Sequence, residues 1–291
     1  MDLSEKFNEK VYSEWVEKYI SGLSTVKIAK EHNCSQGKVY SQLKLMGVPF
    51  RSNSINSKIY VIENKDFFES IDTERKAYYL GFILADGYIT SKRKGEGAQS
   101  LGISLAKIDR DILVKFKNEI KSSHPIGEYI SKSGYGEGKS YVRLLFRNQK
   151  IVDDLKKSGI VENKTNVCEF PSSDILPYHL IKHFIRGYMD GDGSIKRVTR
   201  KRNGYEFRFS LAGTQDVLNG VIDYLYENKL VNTKVKLSKR HHHQTVMNLE
   251  YGGNLQTERI LDHIYSGATV YLDRKYCRYK ELKEQNLKSC A

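Results

Sequence analysis

Apolar residues along the chain follow two different spacings, which divide the sequence into regions of different structure. Between residues 11 and 50 they recur every three or four positions, as they do on one face of a helix. Ser24 or Thr25, and later Ser35, stand where helix N-caps are expected. We therefore predict three short helices, the first of them from Val11 to Ile20.

A second pattern begins after a polar segment rich in Ser and Asn at 51–57, which is predicted to be a linker. From about 66 to 165, and again from about 174 to 285, the order helix, two strands, helix, two strands, helix is predicted. In the predicted strands apolar and polar residues alternate, so one face of each sheet packs and the other contacts water. The predicted domains are 1–52, a linker at 53–65, and two similar halves at 66–170 and 171–291.

A nine-residue segment at 79–87 returns in altered form at 185–193, about the length of a small domain later. Each copy is an apolar helical run that closes on Asp-Gly and has small residues four positions apart. Residues at that spacing share one helix face, where small side chains let a second backbone come close. We predict that the two helices pack against each other through four small residues: Gly81, Ala85, Gly187 and Gly191.

The two copies end at Asp86-Gly87 and Asp192-Gly193, and each glycine is predicted to mark the end of its helix. An aspartate is poorly placed there, because a helix C-terminus already carries partial negative charge. If the helices pair, two such carboxylates converge and repel each other. A divalent cation with oxygen ligands, Mg²⁺ above all, would relieve that repulsion, so the sequence predicts a metal site at these four residues.

Charge narrows the expected partners. The chain has 48 Lys and Arg against 35 Asp and Glu, for a net charge of +13, which favours a polyanionic partner. A membrane surface fits poorly, since the basic residues follow alternating strands rather than one face of an amphipathic helix. The four cysteines have no metal-site spacing and indicate reduced thiols in a cytoplasmic protein.

The two segments resemble the paired signature motifs of the LAGLIDADG homing endonucleases, and the resemblance extends from about 60 to 285. It implies an α+β fold of two pseudo-symmetric αββαββα halves, whose sheets form a saddle over the major groove of double-stranded DNA. The eighth motif residue of that family is the catalytic acid, here Asp86 and Asp192. The sixth residue, Leu84 in one copy and Asp190 in the other, is variable and not catalytic in such proteins.

The resemblance further implies a metal-dependent, monomeric enzyme that cuts both strands and leaves short 3′ overhangs, with Mg²⁺, Mn²⁺ or Ca²⁺ in the site. The family places a lysine in each half, and that role maps to Lys164 and Lys275. A DNA-binding regulator without cleavage activity, or an intron RNA maturase on the same fold, is the alternative. Converging carboxylates favour cleavage, because a protein that only binds DNA does not need them.

Two sets of residues are predicted to contact DNA. In the first region, a resemblance to helix-turn-helix domains over 24–51 places the third helix in the major groove. The water-facing strand positions and hairpins, which carry much positive charge and few carboxylates, suit contacts with phosphates and base edges. The predicted DNA-contacting residues are Gln36, Lys38, Tyr40, Ser100, Ser104, Arg143, Arg147, Arg197, Arg200, Arg208, Lys234, Lys236 and Arg240.

Overall fold

The computed structural model describes residues 9–50, 60–91, 97–131, 137–200, 205–239 and 245–290. They belong to two compact units, Met1–Ile59 and Tyr60–Ala291, and each unit has its own hydrophobic core. None of the helices in the described ranges has the length and apolar character needed to span a membrane.

The first unit contains the three predicted helices, held together by a small core around the fully buried Trp15. The side chains of Ser24 and Ser35 cap the second and third helices by accepting the backbone N–H groups of Lys27 and Lys38. These caps satisfy donors that the helix cannot pair internally. The helices are α1 (Glu9–Ile20), α2 (Thr25–Glu31) and α3 (Gln36–Leu45).

The second unit contains two halves with the predicted order of elements, and each half has an antiparallel four-stranded sheet. In the first half the strand order in space is β1-β2-β4-β3, and in the second it is β5-β6-β8-β7. The elements of the first half are α4 (Glu74–Asp86), β1 (Gly87–Ile89), β2 (Ser100–Ala106), α5 (Arg110–Glu119), β3 (Ile126–Ile130), β4 (Ser140–Arg147) and α6 (Gln149–Lys157). Those of the second half are α7 (Ile181–Asp192), β5 (Gly193–Thr199), β6 (Tyr205–Gly213), α8 (Gln215–Glu227), β7 (Ser238–Lys239), β8 (Met247–Gly252), α9 (Asn254–Tyr265) and α10 (Asp273–Cys290).

The second half departs from the predicted pattern in two places. The strand expected from Lys234 to Arg240 is present only as the two residues of β7, and Arg240 lies outside the described residues. Lys234 instead leaves the strand pattern to form an ion pair with Asp223 on α8, at 2.7 Å. The chain also continues beyond α9 into the long helix α10.

A single core runs through both halves, and the buried residues of the sheets and of α4 and α7 belong to it. The alternation in β4 shows how the sequence selects the packed face: Val142, Leu144 and Phe146 are buried, while their neighbours are partly or fully exposed. In each half the helices that follow the strands cover the packed face. The opposite, polar face of each sheet is therefore left available for a partner.

Candidate active site

Helices α4 and α7 are in backbone contact at their glycines. A methyl group added to Gly81 would lie 2.1 Å from the carbonyl oxygen of Phe184, and one added to Gly187 would lie 1.9 Å from that of Tyr78. Since either distance is far inside van der Waals contact, only glycine permits this approach. One turn later a methyl group on Gly191 would lie 2.3 Å from the Cβ of Ala85, so the interface continues towards the ends of the helices.

The two helices end together, each on its aspartate. Asp86 is the last residue of α4 and Asp192 the last of α7. The carboxylate of Asp86 lies against the partner helix, with its Oδ2 3.2 Å from where a Cβ of Gly191 would be. Burial, and after it the charge of Asp192, raises the pKa of Asp86 to about 6, against the opposing effect of the nearby lysines. The motif acids therefore meet in one electrostatically coupled pair.

Each motif helix ends just before its glycine, as predicted, but neither glycine has the left-handed conformation common at helix ends. Gly87 has φ −79° and Gly193 has φ −101°, both extended rather than left-handed. Each is the first residue of a strand, so helix passes into strand with no intervening turn. An added Cβ would lie 2.5 Å from a side-chain carbon of Ile83 in the first copy and 2.6 Å from the carbonyl oxygen of Met189 in the second. Lack of space, and not a left-handed cap, requires glycine there.

Lys164 and Lys275 hold corresponding places in the two halves. The ammonium group of Lys164 donates to the carbonyl oxygens of Leu84 (2.6 Å) and Ala85 (2.8 Å), at the C-terminal end of α4. That of Lys275 contacts four carbonyl oxygens at the end of α7 and just beyond it. These belong to Met189 (2.6 Å), Asp190 (2.6 Å), Gly193 (2.7 Å) and Gly191 (3.3 Å).

These contacts explain how an aspartate is tolerated at a helix C-terminus. Each lysine donates to carbonyl groups at the C-terminal end of its motif helix, and its positive charge offsets the negative end of the helix dipole. Both ammonium groups are buried, and burial lowers the pKa of Lys164 and brings that of Lys275 to about 8. The two aspartates thus lie near two lysines whose pKa values are lowered.

The carboxylate oxygens at the two helix ends are suitable ligands for a hard divalent cation. Among the described residues no group of three or more His, Cys, Asp or Glu side chains could hold a metal ion. Mg²⁺, however, is commonly bound by one or two carboxylates, completed by waters and substrate phosphates. Asp86 and Asp192 meet that requirement, whereas the carbonyl of Gly193 already accepts from Lys275.

Beside Asp192 and Lys164 lies a cavity of about 170 Å³, which the sequence did not reveal. Cys168 lines it and donates from its thiol to the carbonyl oxygen of Lys164, at 3.0 Å. Burial raises the pKa of this thiol, so it stays protonated and can donate this hydrogen bond to the backbone of Lys164. The spacing of the cysteines along the chain gave no signal of this contact.

The polar face of the first sheet brings four predicted DNA-contacting residues together. Ser100 pairs in register with Arg147, and Ser104 with Arg143, across β2 and β4. The Arg143 guanidinium lies over the ring of Tyr129, 5.6 Å from its centre. The sequence predicted few carboxylates on this face, and its described strand residues include none.

The polar face of the second sheet is different. Arg208 pairs with Glu250 at 2.7 Å and with Glu206 at 3.3 Å, and these two carboxylates also pair with Lys196 and Arg200. The expectation of few carboxylates is therefore wrong for this face. The pairing of β6 with β8 sets Glu250 opposite Ser210, one step from the arginine, and alternation within a single strand cannot show this.

Other predicted DNA-contacting residues lie apart from these faces. Arg197 is on the helix-covered side of β5, where it stacks on Tyr205 at 4.0 Å and bonds Glu281 of α10 at 2.6 Å. Lys236 is exposed in the segment before β7. Lys234 is held by α8, as described above.

In the first unit, Gln36, Lys38 and Tyr40 lie on α3 as predicted. Gln36 donates to the hydroxyl of Thr25, and Tyr40 stacks on Phe50 with ring centres 4.3 Å apart while its side chain stays partly exposed. These contacts brace the third helix against its neighbours. That the solvent-facing residues of α3 contact DNA stays a prediction.

Comparisons with known proteins agree with the geometry. No family model matches the chain, and no curated protein matches it. Among solved structures, a double lysine-to-alanine variant of the meganuclease I-SmaMI matches with a TM-score of 0.50 at 12% identity, over 72% of this chain and 89% of that one. The LAGLIDADG meganuclease I-AabMI bound to uncleaved DNA matches with a TM-score of 0.45 at 14% identity, over 73% and 91%. I-GzeII, a LAGLIDADG homing endonuclease in complex with its DNA target, matches with 0.49 at 12%, over 76% and 92%. The I-SmaMI match, together with the two halves of repeated helices and four-stranded sheets, shows that the chain has the fold of the LAGLIDADG homing endonucleases.

Proposed function

We propose that this protein is a site-specific endonuclease that hydrolyses both strands of a long double-stranded DNA target in the presence of a divalent cation. The observation that carries the proposal is the convergence of Asp86 and Asp192 at the ends of two helices in backbone contact. The carboxylate of Asp86 is half-buried and that of Asp192 is exposed, and their negative charges repel each other unless a cation joins them. A structural role alone gives no reason to keep both.

Asp86 and Asp192 would hold Mg²⁺ together with phosphate oxygens of the DNA. A bound cation would lower the pKa of a water molecule and offset negative charge on the leaving oxygen. Lys164 and Lys275 keep the helix ends in place and supply positive charge close to the reacting phosphates. Because one chain supplies both halves, we propose that the protein acts as a monomer and leaves short 3′ overhangs.

The polar sheet faces are the proposed DNA surface. Arg143 and Arg147 would contact phosphates or guanine edges, and Ser100 and Ser104 would contact base edges between them. The arginines of the second sheet would reach DNA in competition with Glu206 and Glu250. The first unit would add a helix-turn-helix contact through α3, with Gln36, Lys38 and Tyr40 towards the major groove.

A library experiment tests the proposal directly. The full chain is incubated with randomised duplex DNA and Mg²⁺, and the cut ends are sequenced. We expect one recurrent site with short 3′ overhangs, and no products when EDTA replaces Mg²⁺.

Matched variants separate cleavage from binding. Asp86→Asn and Asp192→Asn should bind the recovered site as the wild type does, yet leave it intact. Arg110→Ala, a change at an exposed helix position, serves as the control and should still cut. Tight binding to a specific duplex without any cutting by the wild type would show the alternative, a DNA-binding regulator.

A further inference from the structure

Asp190, the sixth residue of the second motif, is a buried acid that the proposed chemistry does not use. It is only 1% exposed, and burial raises the pKa of its carboxyl group. The corresponding residue of the first motif is Leu84, also buried, so the helix pair accepts an apolar side chain at this position. Because a buried carboxylate is costly unless fully hydrogen-bonded, its presence in one half calls for a reason.

The carboxylate of Asp190 joins three separate elements. Its Oδ2 accepts the hydroxyl of Tyr78 on α4 at 2.8 Å and the backbone N–H of Leu272 at 2.8 Å. Its Oδ1 accepts the hydroxyl of Tyr265 on α9 at 3.4 Å. The acid therefore ties the facing motif helix, the end of α9 and the segment that precedes α10 to one point.

The segment that is hydrogen-bonded to Asp190 at Leu272 leads directly to Lys275, so it sets the position of that lysine. The backbone N–H of Lys275 donates to the carbonyl oxygen of Leu272 at 3.0 Å, which closes the first turn of α10. The ammonium group of the same lysine then reaches back to the backbone carbonyl oxygen of Asp190 at 2.6 Å. Asp190 thus holds both ends of a short loop, by its side chain at one end and by its main chain at the other.

Among the described residues of the first half there is no counterpart to this loop. Lys164 lies in a single turn of 3₁₀ helix, and its ammonium group donates to two main-chain carbonyls of α4. The hydrocarbon side chain of Leu84 cannot accept a hydrogen bond. The segment after Lys164 is held instead from the second half, where the hydroxyl of Thr214 donates to the carbonyl oxygen of Cys168.

We propose that Asp190 is a positioning residue that fixes the Leu272–Lys275 segment, so that the two strand-cutting centres depend on different supports. This proposal rests on the proposed function and concerns the centre that Lys275 serves. A misplacement of about 1 Å in a catalytic group is enough to cost on the order of 100-fold in rate. Loss of the Asp190 carboxylate should therefore slow one strand selectively.

The test uses the full chain with the recovered DNA site, each strand labelled at a different end, so that the two nicking rates are measured separately. Asp190→Leu, which copies the residue of the first half, should slow one strand by about ten-fold or more. The slowed strand should be the one most affected in Lys275→Ala. Asp190→Asn keeps one acceptor oxygen for Leu272, so the same strand should be slowed less; it also serves if Asp190→Leu does not fold.

A second measurement does not depend on cleavage. Hydrogen exchange of the peptide covering 266–276 in the protein without DNA should be at least about ten-fold faster in Asp190→Leu than in the wild type. Asp154→Leu is the matched control, because Asp154 is a buried acid of the first half held by Lys150 and Lys157 on its own helix. It should lower stability without changing the ratio of the two nicking rates or the exchange of this peptide.

The outcomes separate the two proposals. Unchanged exchange at 266–276 would overturn the positioning role whether or not the protein cuts DNA. Faster exchange with both strands slowed equally would overturn it too, since destabilisation alone gives that result. A wild-type protein that cuts nothing, but whose exchange responds to Asp190→Leu, would refute the proposed function and leave the hydrogen-bonded loop established.

Discussion

The two halves share a backbone plan but differ in how charge is arranged on it. Both end their motif helix on an aspartate and cover that end with a lysine. In the first half, the described strand residues of the polar face around Arg143 and Arg147 include no carboxylate. In the second half Glu206 and Glu250 occupy that face, and a further acid is buried in the motif helix. The two halves therefore share the same geometry at their interface. They differ in the charges on the sheet faces that would contact DNA.

The strongest test of the shared part is removal of one acid at a time. Asp86→Asn and Asp192→Asn should each lower cleavage of both strands by about 1000-fold or more, because the two carboxylates form one coupled pair. Single-turnover nicking of each strand measures this, with duplex binding as the control. If either variant spared one strand, the halves would contain independent centres.

The backbone contact between the halves should be equally sensitive from both sides. Gly81→Ala and Gly187→Ala each place a methyl group about 2 Å from a carbonyl oxygen of the other helix. Each should lower the free energy of unfolding by about 3 kcal/mol or more, a severe case of overpacking. Thermal or urea denaturation measures the loss, and Gly127→Ala in β3, where an added Cβ has its nearest neighbour at 3.9 Å, is the control. Unequal losses would show that the interface is less symmetric than the distances indicate.

The lysines should reveal a difference between the halves. Lys275→Met should slow cleavage by about 100-fold, and Lys164→Met by less, because Lys275 contacts four carbonyl oxygens and Lys164 only two. Strand-resolved nicking rates measure the effect on each centre, and circular dichroism verifies the fold. Equal losses would mean that the number of carbonyl contacts does not decide the contribution of each lysine.

The pH dependence of cleavage follows from the two shifted groups. Asp86, with a pKa of about 6, must lose its proton to bind a cation, so activity should rise as pH increases through 6. Lys275, with a pKa of about 8, loses its charge above that value, so activity should fall again. A rate profile at low Mg²⁺ should therefore be bell-shaped between pH 6 and 8. Higher Mg²⁺ should move the acidic limb to lower pH, because the cation competes with the proton.

The same shift has a consequence for stability without metal. Since the pKa of Asp86 is raised in the folded state, the folded protein takes up the proton at higher pH than the unfolded chain. The contribution of Asp86 to the free energy of unfolding is therefore full below pH 4 and is lost as the pH rises through 6. In EDTA, Asp86→Asn should be more stable than the wild type at pH 8 but not at pH 4, as measured by denaturation.

The smallest expected effects concern the sheet faces. Arg143→Ala should weaken DNA binding by about 1 kcal/mol and lower its salt dependence, because a phosphate contact is lost. Glu250→Gln should act in the opposite direction, since it releases Arg208 and Lys196 from a carboxylate. Binding measured over a series of salt concentrations decides both. If Glu250→Gln weakened binding instead, the carboxylate would itself contact a base.

Local patterns predicted much of this structure, because they report physical constraints that act within a few residues. The spacing of Gly81 and Gly187 in their repeats indicated a close helix pair, and the alternation in β2 indicated which face packs. Contacts made across the chain left no such signal. The pairing of Arg208 with Glu250 depends on the register between β6 and β8. The partners of Asp190 come from three elements, and nothing in the motif itself indicates them.

The direct passage from α4 into β1 and from α7 into β5 leaves no slack between the carboxylates and the strands beside them. A loop would let the carboxylate change position relative to the sheet. A single peptide bond between the aspartate and the first strand residue prevents this. If a single residue were inserted between Asp86 and Gly87, side chains that now point towards solvent would turn inwards along the strand. Chain length at these two junctions is therefore as strictly specified as the acids themselves. Insertions that surface loops accept easily should abolish folding or activity at these junctions.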